Sequence, residues 1–392
     1  MGVKSLLHVA CTGKTMSNLV KACISCAALR HNVEVLKAAA GSASLCAMVK
    51  ANAYGHGALL VAEALSGMGI AFWGVATLAE ALELRKHGVR EPILLLRPLE
   101  LYEPVGDAEE AIDALLEADI RPTIVSAEGI HLLAKRAAHR RTIARIHLKV
   151  DTGMGRNGCP ADDAVALTLL LRASPFLELE GVYSHFACAD ERVLDFARRQ
   201  QAVFQDVLER IAVRGVRIPI CHLANSGAIF NLPEARLDMV RPGLALYGYG
   251  GKYIRGSERL RPSLRLEAPV IVTKWIPPGE TCGYGRMFTA RRKTRIGLLP
   301  LGYADGYDRR WSNAGQVSFG NRLIPVIGRV SMDLTILDLT DAPDAVVGSP
   351  VCVVSDRRDD PHSVESMAGR LETIPYEITC ALGSRVERVL RA

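Results

Sequence analysis

The sequence predicts an α/β fold: a closed barrel of eight parallel strands and their helices, followed by a mostly-β domain. From residue 29 to about 240, eight short apolar runs alternate with segments in which apolar residues recur at helical spacing. Strands separated by helices form parallel sheets, and eight such units in about 250 residues are typical of a (β/α)8 barrel. After about residue 262 the spacing changes to alternating apolar and polar residues interrupted by glycine and proline, which indicates a β-rich domain.

The predicted barrel strands are short, and the eighth has the weakest strand pattern. They are residues 44–50, 71–77, 92–96, 122–126, 144–150, 179–186, 220–225 and 238–242. Leu29, Val33 and Leu36 lie on one helical face before the first strand, and helical segments such as LAEALELRKHG and AEEAIDALLEAD follow later strands. The alternation predicts a barrel of the TIM type.

A change of pattern marks the second domain. The stretch GKYIRGSERLRP, residues 251–262, separates the barrel pattern from strand-like runs such as TRIGLLPLGYADG and GSPVCVVSD. We therefore predict a barrel domain over residues 21–262 and a β domain over residues 263–392. Within the β domain only SVESMAGRL has a helical pattern.

Composition and charge exclude several classes of protein. The apolar runs are too short to cross the ~30 Å core of a bilayer, and the first residues lack the long apolar core of a signal peptide. Of the ten cysteines only Cys23 and Cys26 are closely spaced, so no zinc or other metal site is expected. Scattered thiols indicate a reducing cytoplasm. The basic clusters at 134–145 and 290–295 lack interleaved aromatic residues, so we expect no nucleic-acid partner.

Polar residues follow the predicted strands at the end where barrels of this type carry their chemistry. The residues are Lys50 at the end of the first strand, Lys149, Asp151 and Arg156 at the fifth, His185 at the sixth, Asn225, Ser226 and Gly227 at the seventh, and Arg241 and Gly243 at the eighth. Taken singly, Lys50 could be the first solvated residue after a strand and Ser226 a helix cap. Together they converge on one mouth of the barrel, which favours a functional site.

The residue types in this mouth point to a carbonyl cofactor that carries a phosphate. A lysine forms a Schiff base with such a carbonyl. Backbone N–H groups after the seventh and eighth strands form the usual phosphate site of these barrels, and Ser226, Gly227, Gly243 and Leu244 lie there. An aldehyde and a phosphate on one ring describe pyridoxal 5′-phosphate (PLP).

From about Ala27 to Arg388 the sequence resembles the PLP-dependent alanine racemases that combine a barrel with a β domain. The resemblance is carried, in the same chain order, by AMVKANAYGHGA, KVDTGMGRNG, YSHFACAD, HLANSGA, VRPGLALYG, GYGRMF, LPLGYADGY, GRVSMDL and YEITCALGSRV. It implies interconversion of L-alanine and D-alanine, for peptidoglycan synthesis or for alanine degradation. It also implies a cytoplasmic homodimer.

The resemblance implies two catalytic bases on opposite faces of the cofactor. Lys50 would hold PLP as a Schiff base and act as one base, and Tyr284 of the partner subunit would act as the other. Arg241 would face the pyridine nitrogen, and His185 would link Arg241 to Tyr284. The active sites of the homodimer would therefore be shared between its subunits.

The resemblance further implies how cofactor and substrate are held. The residues that bind the cofactor, besides Lys50, Arg241 and His185, would be Tyr54, Ser226, Gly227, Gly243, Leu244 and Tyr376. Arg156 and the backbone N–H of Met332 would hold the substrate carboxylate, and Tyr303 would line the entrance. Lys149 resembles a lysine that is carbamylated in many members of the family.

Elementary chemistry agrees with the two-base assignment. Inverting a stereocentre requires removal of a proton from one face and delivery of a proton to the other. A tyrosine, with an ordinary pKa of about 10, needs assistance to act as a base near neutral pH, and a His–Arg chain can supply it. An arginine at the ring nitrogen cannot give up its proton, so the ring stays unprotonated.

Three departures and three alternatives stand beside this assignment. Residues 1–20 form an N-terminal extension without a counterpart in the family, and KACISC replaces an opening that is usually acidic. Ser331 stands where many members have cysteine, so a racemase for other or larger amino acids is the alternative. A PLP-dependent decarboxylase would lack the tyrosine in GYG, and a non-enzymatic PLP carrier would be a bare barrel without a second domain.

Overall fold

The computed structural model describes residues 19–99 and 108–392, which form two compact units. The barrel unit contains Ile24–Leu264, Ser355–Cys380 and Leu390–Ala392, and the β unit contains the described residues up to Cys23 with Arg265–Val354 and Ala381–Val389. Most of the predicted extension, residues 1–20, lies outside the described residues. The domain boundaries predicted from the sequence stay a prediction.

The secondary structure alternates strands and helices up to about residue 240 and is mostly strand thereafter. In chain order the strands are β1 (Lys21–Ser25), β2 (Ser44–Met48), β3 (Phe72–Val75), β4 (Ile93–Pro98), β5 (Ile120–Ile124), β6 (Ala144–Asp151), β7 (Cys159–Pro160), β8 (Leu177–Tyr183), β9 (Ile220–His222), β10 (Met239–Val240), β11 (Leu264–Pro269), β12 (Val272–Ile276), β13 (Thr281–Cys282), β14 (Phe288–Thr289), β15 (Thr294–Leu299), β16 (Gln316–Phe319), β17 (Arg322–Ile327), β18 (Thr335–Asp338), β19 (Pro350–Val354) and β20 (Glu387–Arg391). The helices are α1 (Cys26–Ala40), α2 (Lys50–Tyr54, largely left-handed), α3 (Ala58–Ala64), α4 (Leu78–Lys86), α5 (Ala108–Glu117), α6 (Ala127–Arg140), α7 (Ala164–Ala173), α8 (Asp195–Val213), α9 (Ser226–Asn231), α10 (Val364–Arg370) and α11 (Pro375–Cys380).

The barrel unit contains a parallel sheet in the order β10-β2-β3-β4-β5-β6-β8-β9, with β7 added beside β6. Two backbone hydrogen bonds join its first and last strands or the residues next to them: the N–H of Arg241 donates to Ala224 at 2.9 Å, and the N–H of Asp238 donates to Cys221 at 3.0 Å. The sheet therefore closes on itself. Each predicted barrel strand overlaps one strand of this sheet, so the predicted fold class is confirmed.

Helix α1 has the buried apolar face that its sequence pattern predicts. Leu29, Val33 and Leu36 are fully buried, as their spacing predicts, and burying each contributes roughly 1.5–3 kcal/mol. The Ser25 hydroxyl accepts a hydrogen bond from the N–H of Ala28 at 3.1 Å and caps the helix N-terminus. Among the described residues, no helix is both long and apolar enough to span a membrane.

The β unit contains a sheet in the order β12-β15-β18-β17-β16-β19-β11-β1-β20 and a separate hairpin of β13 and β14. Its β16–β17 hairpin pairs Phe319 with Arg322 across a two-residue loop, and Gly320 in that loop has φ +58°. A positive φ at this position is readily adopted by glycine, which explains the tight turn. The predicted helical segment SVESMAGRL forms α10, whereas α11 follows it without a sequence prediction.

Candidate active site

Lys50 lies at the C-terminal end of a buried barrel strand, as the sequence predicts. Strand β2 ends at Met48, and the half-buried Lys50 follows after one residue. Its Nζ lies 6.0 Å from the centre of the Tyr54 ring. Burial lowers the pKa of Lys50, and the nearby Arg156 guanidinium lowers it further. The amine is therefore more easily freed of its proton than an exposed lysine.

The barrel mouth collects positive charge. Lys149 is 6 % exposed, and burial together with Arg156 and Arg241 lowers the pKa of Lys149 to about 7. The pKa of His185 lies well below its ordinary value because of burial and the same cations. Because these cations lie beside a neutral His185, the mouth favours a ligand with negative charge, such as a phosphate or a carboxylate.

Asp151 shapes the loop that carries Arg156. Its Oδ1 accepts hydrogen bonds from the backbone N–H groups of Gly153 and Met154, both at 2.9 Å, and its Oδ2 accepts one from Gly155 at 3.0 Å. Three backbone donors on one carboxylate fold the glycine-rich segment into a tight turn. Arg156 follows this turn directly and is exposed. Asp151 therefore serves the loop rather than the ligand.

The segments after β9 and β10 meet at Ser226. The Ser226 hydroxyl oxygen accepts hydrogen bonds from the backbone N–H of Gly243 at 3.0 Å and of Ala245 at 3.2 Å. A Cβ on Gly243 would lie 2.5 Å from the Tyr54 hydroxyl oxygen, so only glycine fits there without displacement. A Cβ on Gly227 would lie 2.8 Å from the backbone of Ala189. The glycines thus let backbone and hydroxyl groups approach one another closely.

Aromatic rings support the Tyr54 side of this pocket. The Tyr54 ring lies 5.5 Å from the Tyr376 ring and 5.2 Å from the Tyr247 ring. Burial raises the pKa of Tyr54, and burial raises the pKa of Tyr376 to about 12, so both hydroxyls keep their protons and can donate. Leu244, next to Gly243 in sequence, is buried. The predicted phosphate-binding residues Tyr54, Ser226, Gly243 and Tyr376 therefore lie in one unit of the structure.

A chain of buried polar side chains runs from Arg241 down into the barrel. Arg241 Nη1 lies 2.7 Å from His222 Nδ1, and His222 Nε2 lies 2.8 Å from His147 Nδ1. His147 Nε2 then lies 3.2 Å from Glu180 Oε2, which also accepts from Arg121 Nε at 3.2 Å. Both imidazoles are fully buried. The interior of this barrel thus contains a row of hydrogen-bonded polar side chains, whereas the side-chain layers inside such barrels are commonly apolar.

The hydrogen bonds from Arg241 through His222 and His147 to Glu180 are all donated in the same direction. An arginine is always a donor, so His222 accepts at Nδ1 and carries its hydrogen on Nε2. His147 then accepts at Nδ1 and donates from Nε2 to the Glu180 carboxylate. Burial lowers the pKa of both histidines, which keeps the imidazoles neutral. The positive charge of Arg241 therefore stays on its guanidinium.

His185 contacts Arg241 at the mouth of the barrel. Arg241 Nη2 donates to the carbonyl oxygen of Ser184 at 2.6 Å and to His185 Nδ1 at 3.2 Å. The Gln200 amide donates to the carbonyl oxygen of His185 at 3.0 Å and fixes its backbone. With Nδ1 accepting, the hydrogen of the neutral His185 ring lies on Nε2. The predicted contact of His185 with Arg241 is present, and its link to Tyr284 stays a prediction.

The β unit carries the remaining predicted site residues. Tyr284, Met332 and Tyr303 are large side chains exposed to 72 %, 52 % and 44 %. The N–H of Tyr303 donates to the carbonyl oxygen of Ser331 at 3.1 Å, so the Tyr303 turn packs on the segment that carries Met332. Tyr284 lies in a short turn between Gly283 and Gly285, both of which have positive φ.

Sequence reasoning assigned no role to His147, Glu180 or His222. One signal was available, because side chains two apart on a strand share a face and His147 precedes Lys149 by two residues. The partners of His147 could not be found in this way. They lie on other strands, and their contacts depend on how the strands pair.

The site residues lie within segments matched by two family models. The model described as alanine racemase, N-terminal domain matches residues 24–250, and the model described as alanine racemase, C-terminal domain matches residues 263–390. Alanine racemase 2 of Caldanaerobacter subterraneus subsp. tengcongensis is 39 % identical over 362 residues, covering 92 % of this chain and 91 % of that protein.

Solved structures show the same similarity. The alanine racemase from the D-cycloserine producer Streptomyces lavendulae has a TM-score of 0.87 and 35 % identity, over 97 % of this chain and 98 % of that one. The alanine racemase from Bartonella henselae with covalently bound pyridoxal phosphate has a TM-score of 0.80 and 29 % identity, over 95 % of this chain and 99 % of that one.

Proposed function

This chain belongs to the alanine racemase family, and from that premise we propose that it interconverts L-alanine and D-alanine with PLP as its cofactor. One observation carries the proposal from the structure itself: the amine of Lys50, whose pKa is lowered by burial, shares a barrel mouth with Arg241, whose partners are neutral imidazoles. A cofactor aldehyde needs such an amine, and a ring nitrogen that must stay unprotonated needs a donor that does not release its proton.

The donor set of the site fits PLP. The cofactor carries a phosphate, and the hydroxyls of Tyr54, Ser226 and Tyr376 with the backbone N–H of Leu244 would supply neutral donors for it, while Gly243 permits the close approach of Tyr54. The mouth has a positive field but no cluster of His, Cys, Asp and Glu suited to a metal among the residues described. When bound, PLP would withdraw electron density from the bond between Cα and its hydrogen.

The two proton-transfer positions would be Lys50 Nζ on one face and the hydroxyl of the partner subunit's Tyr284 on the other. Each takes up a proton from Cα in one direction of the reaction and returns one in the other. His185, with its hydrogen on Nε2, is suited to donate to the tyrosine oxygen and so to stabilise its deprotonated form. Arg241 holds His185 in the orientation that leaves this nitrogen available.

We also propose a homodimer with shared sites. The exposure of Tyr284, Tyr303 and Met332 in the β unit supports this, because it leaves their side chains available to a partner. A two-fold dimer would bring these residues of each subunit to the partner's barrel mouth by the same symmetry operation.

Arg156 and the N–H of Met332 would bind the carboxylate of alanine, and Tyr303 would line the way in. Lys149, with a pKa of about 7, is partly neutral at physiological pH, which is the form that reacts with carbon dioxide to give a carbamate. Its Nζ contacts Oδ1 of Asn157, so the amine is directed toward the Arg156 loop. Carbamylation, the cytoplasmic location and the role in peptidoglycan stay predictions.

Racemisation of a panel of L-amino acids by the purified chain with added PLP tests the proposal. We expect D-alanine to form, and borohydride to fix the cofactor on Lys50. A wider set of products would favour the broader racemase suggested by Ser331, whose hydroxyl donates to the carbonyl oxygen of Leu334 at 2.7 Å. No racemisation of any amino acid by cofactor-loaded protein would refute the function.

A further inference from the structure

The backbone that follows Lys50 is left-handed over several consecutive residues. Ala51, Asn52, Ala53 and Tyr54 have φ values of 51°, 52°, 55° and 53°. Their ψ values near 50° at the first three positions are those of a left-handed helical turn. Non-glycine residues adopt this conformation singly and rarely in a row, because Cβ approaches the following carbonyl oxygen. The turn therefore requires contacts that hold it.

Two side-chain acceptors bind backbone N–H groups in or after this turn. The Asn52 Oδ1, within the turn, accepts from the N–H of Ala58, which follows the turn, at 2.7 Å. At the start of the turn, the N–H of Ala51 donates to Glu80 Oε1 at 2.7 Å. The Ala51 amide belongs to the peptide unit that begins at Lys50, so this contact fixes the backbone from which the lysine side chain extends.

Glu80 makes this contact from the start of helix α4. Its Oε2 accepts from the N–H of Ala76 at 2.8 Å and from the N–H of Thr77 at 3.0 Å, while its own N–H donates to Thr77 Oγ1 at 3.3 Å. One carboxylate thus receives three backbone donors from two segments that follow neighbouring strands, β2 and β3. The capping box of α4 orients the carboxylate toward Ala51.

We propose that Glu80 is a positioning residue for Lys50, holding the left-handed turn so that the amine faces the barrel mouth. The proposal rests on the proposed function of Lys50. A carboxylate is required because both of its oxygens accept. In glutamine one oxygen becomes an NH₂ group, which cannot accept from either Ala51 or the Ala76–Thr77 pair.

The carboxylate also acts on the charge of the lysine. Groups that face Lys50 are Arg156 and Arg241, which lower its pKa, and Glu80 and Cys380, which raise it. Glu80→Gln therefore removes an interaction that favours the ammonium form, so the pKa of Lys50 should fall. Glu80→Asp keeps the charge but shortens the reach, which separates the electrostatic effect from the positioning effect.

The backbone contact can be observed without any cofactor. In full-length protein carrying ¹³C′-lysine and ¹⁵N-alanine, only amides in Lys–Ala pairs are selected, and the sequence places these at Ala22, Ala38 and Ala51. We expect Glu80→Gln and Glu80→Asp to shift the Ala51 amide proton upfield and to speed its hydrogen exchange at least tenfold. Ala22 and Ala38 should not change.

The positioning effect is measured as the pH-independent rate at which PLP and cyanoborohydride modify Lys50 in the same cofactor-free protein. We expect a 10- to 100-fold loss in both Glu80 variants, the order found when a reacting group is misplaced by about 1 Å. Thr77→Val is the matched control: it removes the hydroxyl cap of α4 but keeps all three donors to the carboxylate, so the Ala51 amide and the rate should be unchanged.

Three results would overturn the proposal: an unchanged Ala51 amide, an altered amide with an unchanged rate, or a Thr77→Val variant that behaves like Glu80→Gln. Failure of the proposed function would be distinguishable. In that case PLP and cyanoborohydride would modify a lysine other than Lys50 in the unsubstituted protein. The Ala51 amide shift and exchange rate would still show its contact with Glu80.

Discussion

Substitution of Glu180 by glutamine tests whether the buried chain beneath Arg241 stabilises the barrel. Glu180 accepts from His147 and Arg121, both at 3.2 Å, and its side chain is 15 % exposed. A hydrogen bond to a charged group contributes ~1.5–3 kcal/mol. The amide oxygen of glutamine can keep one of the two bonds, and Arg121 keeps Asp119 at 2.7 Å. We therefore expect Glu180→Gln to lower the free energy of unfolding by about 2 kcal/mol.

The pH dependence gives a second, independent measure. Burial acts to raise the pKa of Glu180, but the hydrogen bonds from His147 and Arg121 and the charge of Arg121 outweigh it, and the pKa lies below its ordinary value of 4.5. Stability from this group is thus fully present above that value and is lost as pH falls through the folded-state pKa. The difference between wild type and Glu180→Gln should shrink between about pH 5 and about pH 3.

Urea unfolding at several pH values, followed by circular dichroism, measures both effects. Glu178→Gln on the same strand is the matched control, because Glu178 pairs with Arg145 at 3.3 Å on the surface, with side chains 51 % and 43 % exposed. An exposed pair of this kind contributes ~0.2–1 kcal/mol. If Glu180→Gln costs no more than Glu178→Gln, or if its cost does not depend on pH, the account of the buried chain is wrong.

Three further predictions concern the proposed site. Mixing inactive Lys50→Ala with inactive Tyr284→Phe should restore about one native site per heterodimer, and no recovery after demonstrated subunit exchange would argue against shared sites. Tyr284→Phe should lower racemisation ~10²–10⁴-fold, and equally in both directions because the equilibrium constant between the enantiomers is one. In deuterated water, followed by NMR, this variant should still exchange the α-hydrogen of D-alanine through Lys50, while exchange into L-alanine nearly stops. Equal loss of exchange from both enantiomers would favour a single base. Gly243→Ala should weaken PLP binding at least tenfold in a fluorescence titration, because the added Cβ would lie 2.5 Å from the Tyr54 hydroxyl. The control Gly369→Ala, whose Cβ would have no atom within 4 Å, should bind PLP as the wild type does. Equal affinities of the two variants would show that the close approach at Gly243 is not needed.

The sequence by itself determined the fold class and the location of the chemistry at the strand ends. Each barrel strand could be predicted because strand and helix periods differ and burial selects apolar residues at those periods. Lys50, Arg156 and Arg241 could be placed at one mouth because parallel strands in a barrel all end on the same face. Those inferences need only local pattern and the direction of the chain.

The tertiary structure alone decided which polar groups meet inside the barrel. His147, Glu180 and His222 lie on β6, β8 and β9, and their contacts follow from the strand pairing and its register, which no local pattern encodes. The left-handed turn after Lys50 could not be predicted either, because alanine ordinarily avoids positive φ. Its contact with Glu80, about thirty residues later in the chain, could not be predicted either, because only the pairing of β2 with β3 brings the two segments together.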